Sequence, residues 1–150
     1  MLSDVRAFHE RMQVSKQRPF PKGEFNLVIK TIGELLCTAS QQLESLVDDG
    51  ACLRAHLMSE ELGEFLVALG EGHESLAFDA LLDLLYVCVG TADMYDWPLE
   101  EGWDEVQRSN MSKEKQPDDP AAERVRDKGP NYSPPDLFKI LEAHRCRFSQ

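Results

Sequence analysis

Between Arg54 and Arg108 the chain contains no lysine and no arginine, although thirteen residues in that interval are Asp or Glu. Local ion pairing therefore cannot neutralise this stretch. The remaining routes are basic residues folded back from elsewhere or a bound cation. Other absences exclude whole classes. Four widely spread cysteines (Cys37, Cys52, Cys88, Cys146) include no CxxC pair, which argues against a zinc ribbon or a dense disulfide scaffold. Cys37 and Cys88 fall in apolar helical stretches, where reduced core residues are expected. No Glu is followed by His three residues later, so the di-iron pattern of ferritin-like bundles is missing, and so is an EF-hand loop. No alternating strand pattern longer than a few residues occurs, and no internal repeat. The opening MLSDVRAFHERM lacks a signal-peptide pattern. The longest apolar run is interrupted by Asp79 and Asp83, which makes it a poor membrane span. A cytoplasmic protein is expected. A net charge of −11 opposes non-specific binding to nucleic acid or to anionic membranes.

The 150 residues are 42% hydrophobic, which suits a single domain spanning 1–150. Its apolar spacing is helical throughout. Helices are expected over 3–13, 24–48, 51–69, 74–95 and 98–112. QRPFPKGEF, DDG and GEGH break the chain between them, and an irregular stretch runs from QPDDP to KGPNYSPP. PDLFKILEAHRCRF closes as a short helix with Pro135 in its first turn. The fold class is all-α, a helical bundle.

RAHLMSEELGEFLVALG, residues 54–70, carries Glu60, Glu61 and Glu64. At about 100° per residue, Glu64 lies about 40° and Glu61 about 100° from Glu60, so the three share one arc. Leu53, Leu57, Val67 and Ala68 fall in or beside that arc, and Met58, Leu62, Phe65 and Leu69 form a second apolar band. His56, Ser59, Gly63 and Gly70 gather in the remaining sector, the expected solvent side. The acids are thus off the expected wet face, among leucines. The next helix, read from LAFDALLDLLYVCVGTA (76–92), is apolar all round and is expected to be buried, with only Asp79 and Asp83 charged, four residues apart on one face. Buried carboxylates without partners are costly. Clustered carboxylates without Cys or nearby His suit hard cations, Mg²⁺ or Mn²⁺, and Mg²⁺ held this way serves phosphate chemistry. Downstream, Arg108, Asn110 and Lys113 in EVQRSNMSK and Lys128 and Tyr132 in DKGPNY supply groups that take phosphate oxygens or reach a sugar or base edge. The blander account of those cations is that they complement a helix C-terminus.

EELGE resembles the EExxE motif of the all-α NTP pyrophosphohydrolases, the superfamily of MazG, dimeric dUTPases and phosphoribosyl-ATP pyrophosphohydrolase, with Arg54 as its lead-in. DALLDLLYVCVGTA resembles the second metal-binding helix of the MazG-like and phosphoribosyl-ATP-pyrophosphohydrolase-like branch. EVQRSNMSK followed by KGPNYSPPDL is similar to that branch's C-terminal portion. The resemblance covers roughly residues 50–141 and leaves the 24–48 helix outside. It implies helical protomers that form homo-oligomers, commonly dimers, with Mg²⁺ between the acidic helices, and hydrolysis of a nucleotide substrate to its monophosphate and pyrophosphate. It implies Glu60, Glu61, Glu64 and Asp83 as metal ligands or orienters of the attacking water, and Asn110, Lys113, Arg108, Lys128 and Tyr132 as substrate residues. One departure stands out. The second motif is often ExxD, yet Ala80 occupies its first position, and Asp79 is expected to take over. Glu61 is the expected proton acceptor. The base is left open among dUTP, dCTP and damaged nucleotides. Two rivals remain: an enzyme acting on phosphoribosyl-ATP, and a non-catalytic helical module using Trp97, Trp103 and Phe138 as surface anchors, although such aromatics are more often core.

Overall fold

The structure, a computed structural model, describes residues 1–14, 20, 25–46, 50–114 and 129–148. They contain six helices and no strand: α1 (Leu2–Met12), α2 (Leu27–Glu44), α3 (Gly50–Glu71), α4 (Glu74–Met94), α5 (Leu99–Met111) and α6 (Leu137–Phe148). All six expected helices are present and the chain is all-α. Two compact units are formed, Pro19–Tyr95 and Met1–Arg18 with Asp96–Gln150. Asp48 and Asp49 of DDG and most of QRPFPKGEF lie outside the described residues, and Gly50 is the first residue of α3.

In the Pro19–Tyr95 unit, α3 packs on α2 and on α4. α2 begins at Leu27 because Asn26 caps it, its Oδ1 accepting from the Ile29 N–H at 3.2 Å. The Asn26 N–H also donates to the Gly70 carbonyl at 2.7 Å, which ties the start of α2 to the end of α3. The two helices run antiparallel at very close approach. A Cβ on Gly33 would meet the Gly63 carbonyl and the Val67 nitrogen at 2.7 Å, and one on Gly63 would meet Cys37 Sγ at 2.6 Å. Gly63 and Gly70 are buried here, not on the solvent side expected from their polarity class. Hydropathy alone placed them wrongly, because small residues are selected by the space between backbones. His56 belongs to the same seam, its Nδ1 2.9 Å from the Ser40 carbonyl. The carbonyl can only accept, so the proton sits on Nδ1.

α3 ends at Gly72, whose φ of 72° suits glycine; the His73 N–H reaches back to the Ala68 carbonyl at 2.9 Å. The chain then returns as α4. Its buried stripe is small: Ala77, Ala80, Thr91 and Ala92. Contrary to expectation, most of its large apolar side chains are exposed, including Leu76, Phe78, Leu85 and Tyr86, the last at 82%. The reason is geometric. A helix apolar all round needs neighbours all round, and α4 packs only on α3 among the described helices. By length and composition alone α4 would suffice to cross a membrane. Cys88 is exposed and Cys37 half-buried, so Cys88 is not the core residue expected; all four cysteines are free.

In the other unit α5 packs on α1 and α6. Trp103 Nε1 donates to Asp4 Oδ2 at 2.8 Å and Gln107 Nε2 to the Asp4 carbonyl at 2.9 Å. Arg108 grips Glu105 through two 2.7 Å hydrogen bonds, and the Asp136 N–H donates to Glu105 Oε1 at 2.8 Å. Asp136 then caps α6 through the Lys139 N–H at 3.1 Å, so Pro135 precedes the cap and is not in the first turn. Trp97 and Phe138 are exposed and so are not core either.

Two outcomes follow from this packing. Gly33→Ala should lower unfolding stability by about 1–3 kcal/mol, because the atoms it strikes are backbone, whereas Gly102→Ala, with nothing within 4 Å of its Cβ, should gain about 0.5–1 kcal/mol; urea denaturation reads both. Arg108 and the Asp136 N–H hold the Glu105 carboxyl at about 2, below its ordinary 4.5. A depressed carboxylate stabilises the fold above the unfolded value and loses that contribution as pH falls through the folded one. Protection of α6 amides against hydrogen exchange should therefore decline between pH 4.5 and about 2, and Glu105→Gln should remove that pH dependence.

Candidate functional site

The five expected metal-binding acids all belong to the α3–α4 hairpin. Glu60 and Glu61 are half-buried, and Glu64, Asp79 and Asp83 are exposed within the chain. Asp79 and Asp83 are therefore not the buried carboxylates expected, because the helix that carries them is uncovered. The hairpin still brings the five together. The Glu61 carboxyl is pushed above its usual range, first by partial burial, then by the charges of Glu64, Asp83, Glu60 and Asp79 in that order. Each of the other four acids thus acts on Glu61 through space. Among the described residues no lysine or arginine pairs with any of the five; the nearest positive candidate is His56, whose Nε2 lies 3.8 Å from Glu60 Oε2.

Beside the acids lies a cleft of about 270 Å³ lined by Cys37, Glu64, Val67, Glu71, Leu76 and Asp79, together with Ala68 and Ala80. Asp79 is on its wall, while Ala80 is buried at the helix seam. The methyl at position 80 fits where a longer acid would be enclosed, and the neighbouring Asp79 presents the carboxylate. The Cys37 thiol is pushed up by burial and by Glu64, Glu60 and Glu34, so it stays protonated and offers no thiolate. Sequence reasoning passed over Cys37 and Glu71. Glu71 had a signal: it stands seven residues, two helical turns, after Glu64 and so shares its face. Cys37 had none, since it arrives from another helix. Arg54 is half-buried, and its Nε has no hydrogen-bond partner.

The donor set fits a hard divalent cation. Carboxylate oxygens are its preferred ligands, and the elevated Glu61 carboxyl marks an excess of negative charge that such an ion relieves. Among the described residues no three acids, histidines or cysteines are arranged as a closed ligand set. Sharing one ion would need rotamer changes, which the exposed Glu64, Asp79 and Asp83 are free to make.

The expected substrate residues lie in the other unit. Lys113 Nζ donates to Asn110 Oδ1 at 2.7 Å and stands 6.0 Å from the Phe8 ring centre. Arg108, besides holding Glu105, donates to the Pro134 carbonyl at 2.9 Å. Ser112 and Ser133 pin the returning segment through a 2.9 Å bond, and Tyr132 sits in the turn with its N–H 3.3 Å from the Gly129 carbonyl. Lys128 lies outside the described residues. Arg108 is thus a structural clasp as it stands, whereas Asn110 and Lys113 form a preset amide–ammonium pair.

If like-charge repulsion sets the state of the hairpin, Glu61→Gln should raise the melting temperature by a few degrees in EDTA. Millimolar Mg²⁺ should stabilise the wild type and the variant less so, since only native-state binding is rewarded; differential scanning fluorimetry checks both.

A family model described as phosphoribosyl-ATP pyrophosphohydrolase matches residues 23–110, more than half of the chain. No curated protein and no solved structure matches. The matched span takes in all of α2, which the motif resemblance left outside, and all of α3 and α4 with their acids. It ends at Asn110, before Lys113, Lys128 and Tyr132. The chain accordingly belongs to the phosphoribosyl-ATP pyrophosphohydrolase family, within the MazG-like all-α NTP pyrophosphohydrolase superfamily.

Proposed function

We propose that this pyrophosphohydrolase converts a nucleoside or deoxynucleoside triphosphate (dUTP, dCTP or a non-canonical nucleotide) to the monophosphate and pyrophosphate, clearing it from the nucleotide pool. The observation that carries this reading is the convergence of Glu60, Glu64, Asp79 and Asp83 on Glu61, without a lysine or arginine partner among the described residues. A bound divalent cation would relieve such a concentration of carboxylates, and perturbed groups of this kind cluster at functional sites. Phosphoribosyl-ATP fits at least as well as substrate, and the description of the matching family favours it.

In this reading Glu60, Glu61, Glu64, Asp79 and Asp83 hold Mg²⁺, with Mn²⁺ as an alternative. The ion supplies charge compensation for the phosphate oxygens and a more acidic water. Glu61 takes the proton from the attacking water. The water oxygen bonds to phosphorus, the bridging P–O bond breaks, and pyrophosphate leaves. Asn110 and Lys113 hold substrate, with Arg108, Lys128 and Tyr132 assisting; Arg108 must loosen its clasp on Glu105 to do so.

A second copy of the chain completes the bundle in this proposal. The Pro19–Tyr95 unit exposes Leu35 on α2 and Leu85 and Tyr86 on α4, while its buried apolar residues are alanines. That imbalance favours a homodimer.

Pyrophosphate release should appear with one of a panel of triphosphates and phosphoribosyl-ATP, in Mg²⁺ and not in EDTA. Glu61→Gln should keep the fold and nucleotide binding and lose about 10²-fold or more in turnover. A helical binding module would give no metal-dependent pyrophosphate with any member of the panel.

A further inference from the structure

The cleft presents a charge problem. Its polar walls are Glu64, Glu71 and Asp79, yet its expected occupant is a polyanion. Divalent ions held by the five acids would offset that repulsion at their end of the cleft. They do not serve the far end of the cleft, where Glu71 stands seven residues beyond Glu64, about 10 Å along α3.

A cation stands at that end. Lys30, in the first turn of α2, places Nζ 2.8 Å from Glu71 Oε1 and 3.6 Å from Glu34 Oε1, with the side chain 25% exposed. The Phe25 ring centre is 5.7 Å away. Its backbone lies at a close approach of α2 to α3. A Cβ on Gly70 would meet the Lys30 nitrogen at 2.7 Å. Arg54 is the other lysine or arginine among the described residues of this unit, and it belongs to the opposite end of α3.

We propose that Lys30 anchors the outer phosphates of the substrate and the departing pyrophosphate, and that Glu71 is the carboxylate they displace. Exchange is inexpensive here. When Lys30 turns to phosphate, Glu71 is 30% exposed to water and has His73 Nδ1 3.4 Å from its Oε2 as a hydrogen-bonding neighbour. Neither charge is left buried and unpaired, the circumstance that makes breaking an ion pair costly. An ammonium on a flexible four-carbon stem suits this change of partner better than a guanidinium fork. The triphosphate would then lie along the cleft, its reacting phosphorus near Glu61 and its terminal phosphate at Lys30. This rests on the pyrophosphohydrolase reading of the cleft and adds the direction in which the substrate lies.

The test measures binding of inorganic pyrophosphate in Mg²⁺ by calorimetry, beside KM and kcat for whichever substrate the wild type turns over. Lys30→Gln should weaken pyrophosphate binding about tenfold and raise KM comparably, with kcat little changed, the loss expected for one charge-assisted hydrogen bond. Lys30→Arg should retain most of the binding. Glu71→Gln should act in the opposite sense, tightening pyrophosphate several-fold by releasing the ammonium. Were the ion pair merely a brace between α2 and α3, both Gln variants would break it and weaken binding alike; that shared direction would overturn the proposal. Glu71→Gln carries the test by itself should Lys30→Gln fail to fold. Wild-type turnover with pyrophosphate affinity unchanged in Lys30→Gln removes the anchor and leaves the enzyme reading intact. A wild type that neither binds nor releases pyrophosphate removes both.

Discussion

The contact of α2 with α3 at Gly33 and Gly63 is the constraint on which the rest of the acidic unit depends. With Cβ positions blocked by backbone atoms, the two helices can meet only where both are glycine or otherwise small. That contact fixes the rotation of α3 about its own axis. Once Gly63 and Gly70 face α2, Glu60, Glu61 and Glu64 have no choice of direction, because helical geometry sets the angles between them. The same helix pair places Cys37 on the cleft wall and Lys30 against Glu71. A mutation in the seam would therefore disturb the site while touching none of its acids.

Five carboxylates in one hairpin are a standing electrostatic load. The fold does not discharge it with lysine or arginine among its described residues; it leaves Glu64, Asp79 and Asp83 exposed to water and raises the proton affinity of Glu61. Function and stability are thus set against each other at Glu61. A neutral residue there relieves repulsion and removes the carboxylate proposed to accept the proton. The C-terminal unit is organised differently. Among its described residues Arg108 pairs with Glu105 within α5, and Arg147 on α6 pairs with Glu101 on α5.

Helices were readable because their apolar spacing is regular and breakers such as GEGH, with Gly72, separate them; the Asn26 cap went unread, so the helix expected from 24 begins at Leu27. The EELGE and Asp79–Asp83 groups were readable because helical spacing alone decides which residues share a face. Three features were not. Gly63 and Gly70 looked like a solvent face because hydropathy cannot separate a residue that is small for water from one that is small for a backbone. The α4 helix looked buried because composition reports a need for apolar neighbours without saying whether this chain supplies them. Lys30 was invisible because its partner, Glu71, is brought to it by packing and not by spacing. Of the segments that carried the motif resemblance, EELGE and DALLDLLYVCVGTA lie inside the matched family span, EVQRSNMSK crosses its end, and KGPNYSPPDL lies beyond it.

Gly72 has a further meaning for the order in which the molecule is made. Because a two-residue turn joins α3 to α4, Glu60, Glu61, Glu64, Asp79 and Asp83 are separated by little sequence and meet through local contacts. Such contacts form early, since little chain entropy is lost in closing a short loop. The acids are therefore complete within one local hairpin, to which α5 and α6 contribute none of the five. Their mutual repulsion is met by the folding chain as well as by the finished one, and the alanine stripe at Ala77 and Ala80 holds the hairpin closed against it.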